Sequence, residues 1–291
     1  MSPWEREQVT RLVKLLAGEE EFRWLDRVAM RDLGFGYDLF GLEKETVALA
    51  YFFARWVYKY WFRVESEGHH NIPRVGRCIL AGNHGGLLPF DAAMCCVDTI
   101  AGLHPPRFLR AIVDNFVGSL PFLNVLFARC GQVIGARQNF RELLLNEELV
   151  LVFPEGTPAI GKTYRERYRL RPFRVGFIEL AIQHQAPIVP VAFIGPDEQA
   201  PILFRLDRVA RRLGLPFLPV TPTFPLLGPL GLLPAPVKYR IRYGEPFHFH
   251  REHPKEAARD PRLVEELADQ VRARVQEMVV GGLKTRRGTF V

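Results

Sequence analysis

The spacing of apolar and polar positions changes character several times along the chain. Residues 1–40 carry helical patterns of mixed charge and predict a peripheral helical appendage. Residues 46–64 predict a helix built largely of aromatic and aliphatic side chains. Arg55, Lys59 and Arg63 fall at i, i+4 and i+8, which would place one basic stripe along it. After a turn region at Glu67–Pro73, short buried-type runs predict strands at 77–82, 110–114, 131–134, 149–153, 187–194 and 237–242, with helical patterns between several of them. That alternation predicts an α/β fold, a mostly parallel mixed sheet covered by helices on both faces. Pro190 lies inside the fifth of these runs. It lacks the donor a ladder needs and so predicts a bulge or a strand entry point. From Gly214 to Pro236 the chain is apolar but punctuated by prolines, which excludes a regular helix and leaves a greasy loop. Asp260 and Pro261 then cap a helix with apolar positions Val264, Leu267, Val271, Val275 and Met278. The resulting division is an N-terminal helical, membrane-interface segment, 1–63, and an α/β domain, 64–291.

Composition narrows the function classes. A chain of 291 residues with 48% hydrophobic and 24% charged positions is long enough for a full core. Its formal charge of +7 points to an anionic partner, and the basic residues are spread rather than gathered into one tail. The aromatic residues sit among aliphatic ones rather than in a basic groove, and no nucleic-acid module is present, so nucleic acid is not an expected partner. Trp and Tyr beside basic residues in 46–64 suit a helix lying in an anionic lipid surface; a core helix with a solvated charged stripe is the other reading. Cys78, Cys95, Cys96 and Cys130 lack zinc spacing and read as reduced, mostly buried thiols, so no metal site is expected. The polar N-terminus carries no signal-peptide pattern, and no run reaches the roughly 18 apolar residues of a spanning helix. The expected location is therefore membrane-associated, peripheral or monotopic, on the cytoplasmic face.

The chemistry-bearing stretch is Asn83-His84-Gly85-Gly86-Leu87-Leu88-Pro89-Phe90-Asp91, between a predicted strand and a predicted helix. A histidine in a glycine-bearing loop at a strand end is held by a rigid element yet open to a substrate. Asp91, in the first helical turn, is placed to fold back and fix the imidazole tautomer, making His84 a general base; a solvated loop histidine and a carboxylate favouring a helix N-terminus form the plainer reading. A second loop, Pro154-Glu155-Gly156-Thr157-Pro158, follows the run 149–153 and would open onto the same cleft, since ligands gather at strand C-termini in such sheets. Beyond it, Lys162, Tyr164, Arg165, Arg167, Arg169, Arg171 and Arg174 make a dense basic segment, either a phosphate site or a solvated charged loop. His69 and His70 lack a partner pattern and read as solvated.

Four ordered blocks resemble the glycerophosphate and lysophospholipid acyltransferase family over roughly residues 64–248: Asn83-His84 with Asp91, Gly131 to Arg137, Val152-Phe153-Pro154-Glu155-Gly156-Thr157, and Ala186 to Val191. The resemblance implies an O-acyltransferase of glycerolipid and phospholipid synthesis that moves a fatty acyl group from an acyl thioester to a lipid hydroxyl. It implies acyl-CoA or an acyl carrier protein as co-substrate, no cofactor, His84 as base, Asp91 as its orienting partner, and Arg137 on the acceptor phosphate. Glu155, Gly156, Thr157 and Lys162 would complete the substrate site. Six residues separate His84 from Asp91 where the family commonly has four, as in a branch resembling diacylglycerol-type acyltransferases. Pro158 stands where the family's phosphate-binding Arg follows Thr. A neutral acceptor, such as diacylglycerol or a long-chain alcohol, is therefore an alternative to a phosphorylated one, with Lys162 or Arg165 as compensating cations. A non-catalytic lipid-binding protein is the remaining alternative.

Overall fold

The computed structural model describes residues 3–17, 23–119, 121–212 and 217–290. Its strands are β1 (Glu65–Glu67), β2 (Cys78–Gly82), β3 (Leu109–Val113), β4 (Val133–Ile134), β5 (Leu149–Val152), β6 (Ile188–Ile194), β7 (Phe204–Arg205), β8 (Pro219–Val220) and β9 (Arg240–Tyr243). The helices are α1 (Pro3–Ala17), α2 (Arg23–Arg27), α3 (Lys44–Trp56), α4 (Phe90–Gly102), α5 (Leu123–Arg129), α6 (Arg137–Leu145), α7 (Gly176–Gln183), α8 (Pro196–Gln199), α9 (Asp207–Arg212), α10 (Phe249–Glu252) and α11 (Pro261–Thr285). Seven strands make one sheet in the order β1-β9-β6-β2-β5-β3-β4, with β7 and β8 forming a separate hairpin. All neighbouring pairs in the large sheet are parallel except β6 with β9. The mostly parallel mixed sheet expected from the alternation is thus present, and β2 lies near its middle.

Period-two alternation divides the sheet's side chains between two cores. Ile79, Ala81, Val150, Val152, Ile188 and Ala192 pack with α6, α7 and α11 on one face. Leu80, Leu149, Leu151, Val189, Val191 and Phe193 pack with Met94 and Cys95 of α4 on the other. The N-terminal segment adds a further layer, where Val47, Ala48 and Tyr51 of α3 cover Val97 and Ile100 of α4. Asp38 pairs with the buried guanidinium of Arg110 at 2.7 Å, and Glu43 with Arg129 at 2.6 Å. Phe62, fully buried, stacks on Tyr239 at 4.2 Å. Residues on both sides of position 63 therefore share one packed body. Asp260 caps α11 as its sequence implied, accepting from the backbone of Arg262 and Leu263.

The bulge implied by Pro190 lies in the neighbouring strand. Ile188 pairs with Phe247 and Val191 with Tyr243, so one extra residue is inserted in 243–247. Ile188 N donates to Phe247 O. The nitrogen of Pro190, two residues on, faces the same side, where the bulge removes the need for a donor.

Two sequence expectations need correction. The basic stripe of 46–64 does not form, because α3 ends at Trp56, a π-helical turn follows over Val57–Trp61, and Arg63 is left-handed at φ 45°. Arg63 instead turns its guanidinium onto the carbonyls of Trp61, Pro236 and Phe290. The exposed stripe is apolar and aromatic: Leu49, Phe53, Trp56 and Tyr60. His69 is not solvated, for its Nε2 reaches Asp98 Oδ2 at 2.8 Å. Asp98, buried in α4, also accepts from Tyr58 at 2.7 Å, Ser66 at 2.6 Å and Tyr243 at 2.6 Å. Four donors thus converge on one carboxylate and tie α4 to the 57–61 turn, β1, the 69–71 turn and β9. Burial opposes ionisation of Asp98, but hydrogen bonds from His69, Ser66 and Tyr243 outweigh it and hold the carboxyl below its ordinary range. The same hydrogen bond raises the His69 imidazole above its ordinary range.

Candidate active site

The loops that follow β2, β5 and β6 leave the same edge of the sheet, as parallel pairing requires. Asn83 fixes the start of the first loop by exchanging two hydrogen bonds with the backbone of Phe193, at 2.8 and 2.9 Å. Gly86 makes the sharp turn that follows, at φ 79°, where a Cβ would run into Gln199. The chain then enters α4, and Asp91 comes back beneath the histidine.

His84 Nδ1 lies 2.6 Å from Asp91 Oδ2, and the carboxylate is fully buried. Asp91 also accepts from Gly85 N at 3.1 Å and from Ala92 N at 2.8 Å. A carboxylate ringed by donors accepts from Nδ1–H, which leaves the lone pair on Nε2. The imidazole stacks on Phe153, with centroids 4.1 Å apart and planes 16° apart, and remains 14% exposed. The longer His-to-Asp spacing therefore does not prevent a close pair.

Glu155 is placed differently from a substrate-facing carboxylate. It is 3% exposed, and its oxygens accept from His84 N at 3.2 Å, Arg171 N at 2.7 Å and Lys162 Nζ at 3.2 Å. Lys162 is buried with it and directs its ammonium inward. Both are engaged within the protein, because Glu155 is where the β2 loop, the β5 loop and the 162–171 segment meet. The backbone amide of Gly156 donates to Phe153 O and that of Gly85 to Asp91, so neither is free for a substrate oxygen. Thr157 bonds Asp114, which follows β3.

Arg137 begins α6 at the same sheet edge, with an exposed side chain paired to Glu179. It lines a cavity of about 240 Å³ together with Arg174 and Pro154. Arg174 N donates to Pro154 O at 3.0 Å, which brings its guanidinium against Gly156, where a Cβ would come within 3.0 Å of it. A cation thus stands beside the turn in spite of Pro158, supplied from residue 174. Neither Lys162, which is buried, nor Arg165, which lines another cavity, takes that place. Nothing local in the sequence distinguished Arg174 from the other arginines of its segment.

A second cavity of about 220 Å³ has almost wholly apolar walls, among them Ala54, Pro89, Ala93, Cys96, Val97 and Phe127. Pro89 belongs to the His84–Asp91 loop, so the cavity abuts the site. Cys96, on its wall, has its thiol pushed up to about 12 by burial.

The fold and this loop constellation define a class, and the comparisons agree. Residues 63–194 match the model of the Acyltransferase family. An uncharacterized protein of Mycobacterium tuberculosis is 41% identical over 238 residues, 81% of this chain and 66% of its own length. The human DGAT1/2-independent enzyme synthesizing storage lipids is 25% identical over 75% of this chain and 61% of its own. The chain thus spans less than two thirds of these relatives. The structure of the 1-acyl-sn-glycerophosphate (LPA) acyltransferase PlsC from Thermotoga maritima superposes over 99% of this chain and 100% of that one. Its TM-score is 0.55 and its identity 19%, a likeness of fold. The comparisons thus give the fold of the chain and a match of residues 63–194 to the Acyltransferase family.

Proposed function

We propose that this protein transfers a fatty acyl group from an acyl thioester to a lipid hydroxyl at a membrane surface, with His84 as general base and Asp91 as its positioning partner. The single observation that carries the reading is the 2.6 Å contact from His84 Nδ1 to a buried carboxylate. It leaves Nε2 to take a proton from the acceptor hydroxyl as its oxygen attacks the thioester carbonyl. The C–O bond forms and the C–S bond breaks. The departing thiolate then takes the proton from His84. Attack is direct, since among the described residues no serine in the site is paired with a base. The backbone amide of Gly86 is the candidate oxyanion donor, given that those of Gly85 and Gly156 are engaged. Glu155 and Lys162 act by holding the His84 loop rather than by touching substrate.

The acyl chain occupies the apolar cavity beside Pro89. Arg137 and Arg174, flanking Gly156 and Thr157, hold a phosphate on the acceptor, which favours a phosphorylated acceptor over a neutral one. A neutral acceptor is the second reading, favoured by Pro158 and by the likeness to an enzyme named for storage lipids. Among the described residues no helix is long and apolar enough to cross a membrane. Exposed Phe53, Trp56 and Tyr60, together with Leu226, Leu227, Leu230 and Leu233 of the proline-rich loop, form the surface that docks on lipid. Trp61 Nε1 joins the two groups through Pro234 O at 3.2 Å. Gly214–Pro216 of that loop lie outside the described residues. Acceptor-dependent release of free thiol from one acyl-CoA, across lysophosphatidate, lysophospholipids, diacylglycerol and long-chain alcohols, tests the reading. Thiol release that needs no acceptor, or none with any of them, overturns it.

A further inference from the structure

The arginines that follow Lys162 do not serve the site just described. Arg165, Arg167 and Arg169 line a cavity of about 420 Å³ with Arg286, Tyr168 and Leu283. Their backbone is fixed from several sides. Thr163 and Glu166 form a reciprocal capping box, and Tyr164 N donates to Ile202 O at 2.8 Å. Gln276 of α11 bonds both Tyr168 O and Leu170 N, at 2.9 and 3.0 Å. Tyr168, buried between the arginines, is held left-handed at φ 61°, a conformation costly for an aromatic residue unless its surroundings impose it. A merely solvated charged loop needs no such anchoring.

The charge in this cavity is unbalanced. Arg286 forms a two-pronged pair with Glu198, both contacts 2.6 Å, and Arg167 lies over the Tyr164 ring at 4.0 Å. Glu166 is turned toward Thr163 and Arg171 instead. Four guanidinium groups therefore face a single carboxylate, and Arg165 and Arg169 project into solvent without a carboxylate partner among the described residues. Like charges so gathered repel unless an anion joins them, and guanidinium is the side chain best shaped for phosphate.

The cavity stands one layer behind the catalytic loop. Tyr168 N donates to Asp197 Oδ2 at 2.6 Å, and Asp197 in turn lies against Gly85. A phosphate bound among these arginines cannot be the reacting end of a substrate. It suits the remote end of one whose thioester reaches His84 along an extended arm. We infer that Arg165, Arg167, Arg169 and Arg286 bind the nucleotide polyphosphate handle of a coenzyme A-type thioester. This rests on the acyl-transfer reading for its purpose but not for its binding chemistry. Four cations match a handle with several phosphates better than a lipid phosphodiester, and the arginine-rich walls differ from the apolar surface assigned to lipid.

The test uses the full chain with adenosine 3′,5′-bisphosphate as probe in isothermal titration calorimetry, beside kinetics with acyl-CoA. The double variant Arg165→Ala/Arg169→Ala, whose side chains are exposed, should weaken probe binding at least tenfold. It should raise KM for acyl-CoA by a similar factor and leave kcat and acceptor KM within twofold. Arg272→Ala, on α11 and paired with Asp269, should change none of these. Probe binding unaltered by the double variant, or a loss confined to anionic vesicles, overturns the inference. His84→Ala should bind the probe as tightly as wild type. Arginine-dependent probe binding in a protein that consumes no thioester leaves the phosphate site standing and removes the acyl-transfer reading. Turnover with no arginine-dependent probe binding does the reverse.

Discussion

Replacing Asp91 by Asn changes one oxygen to an amide nitrogen at almost constant volume, and the hydrogen bonds around it determine the outcome. One carboxylate oxygen serves both His84 Nδ1 and Gly85 N, and the other serves Ala92 N. Asparagine has one acceptor oxygen for these three donors. If that oxygen faces His84, the amide NH₂ confronts Ala92 N. If it faces Ala92, the NH₂ meets Nδ1 and stabilises the tautomer protonated on Nε2, which cannot accept a proton. Losing one charge-assisted hydrogen bond removes about 1.5–3 kcal/mol, roughly a 10- to 150-fold effect. Holding the wrong tautomer deepens the loss toward about 10⁴-fold, as in a serine-protease triad with the same substitution. The expected fall in kcat is thus about 10²- to 10⁴-fold at saturating thioester, with KM for both substrates little changed. The assay is initial-rate thiol release with acceptor present, run beside circular dichroism to establish the native fold. A folded Asp91→Asn protein with kcat within threefold of wild type would refute the tautomer argument.

Other parts of the molecule give further expected outcomes. Lys162→Met leaves the buried Glu155 carboxylate without its cation, so urea unfolding should reveal a loss of about 3–5 kcal/mol, whereas an unchanged midpoint would contradict that pairing. The Asp98 network should make stability depend on pH at both ends. Asp98 is held below its ordinary value, so its contribution is present above 3.8 and lost as pH falls through the lowered value. His69 is raised above 6.5, so its contribution is complete below 6.5 and lost as pH rises through the raised value. His69→Ala should abolish the alkaline decline in denaturation midpoint, and a decline that persists assigns it to another group. Ala93→Trp, filling the apolar cavity, should shift preference toward shorter acyl-CoA donors, to be read from kcat/KM across a chain-length series. Replacing Phe53, Trp56, Leu226 and Leu230 together by Ser should reduce sedimentation with anionic vesicles at least tenfold while leaving the thermal midpoint within a few degrees, since all four are exposed.

Much of the sheet was legible because its strands are buried on both faces and so read as continuous apolar runs between turns. The edge strand β1 was not, since Glu65, Ser66 and Glu67 have none of the apolar character of a central strand. The pairing of β4 with β3 rests on two residues, too short a pattern to read securely. Long-range chemistry was the least legible. His69 looked solvated because its acceptor, Asp98, lies 29 residues on and on a helix read only as apolar. The inward engagement of Glu155, expected in the substrate site, was hidden because its three donors come from positions 84, 162 and 171. The basic stripe of 46–64 failed for a local reason: a π turn moves the register off 3.6 residues, and periodicity assumes a regular helix. The His84–Asp91 pair was the reverse case. The sequence placed Asp91 to fold back on His84, and Gly86 with the entry to α4 closes that loop.

Acyl transfer with His84 as base is tested most directly by product formation from a labelled acyl-CoA and a lysophosphatidate acceptor, with wild-type protein and His84→Ala side by side. Wild type should give an acylated lipid product, and the variant a rate lower by about 10³-fold or less, in the range expected for removing a general base. Product formed by a folded His84→Ala protein at the wild-type rate would contradict that role.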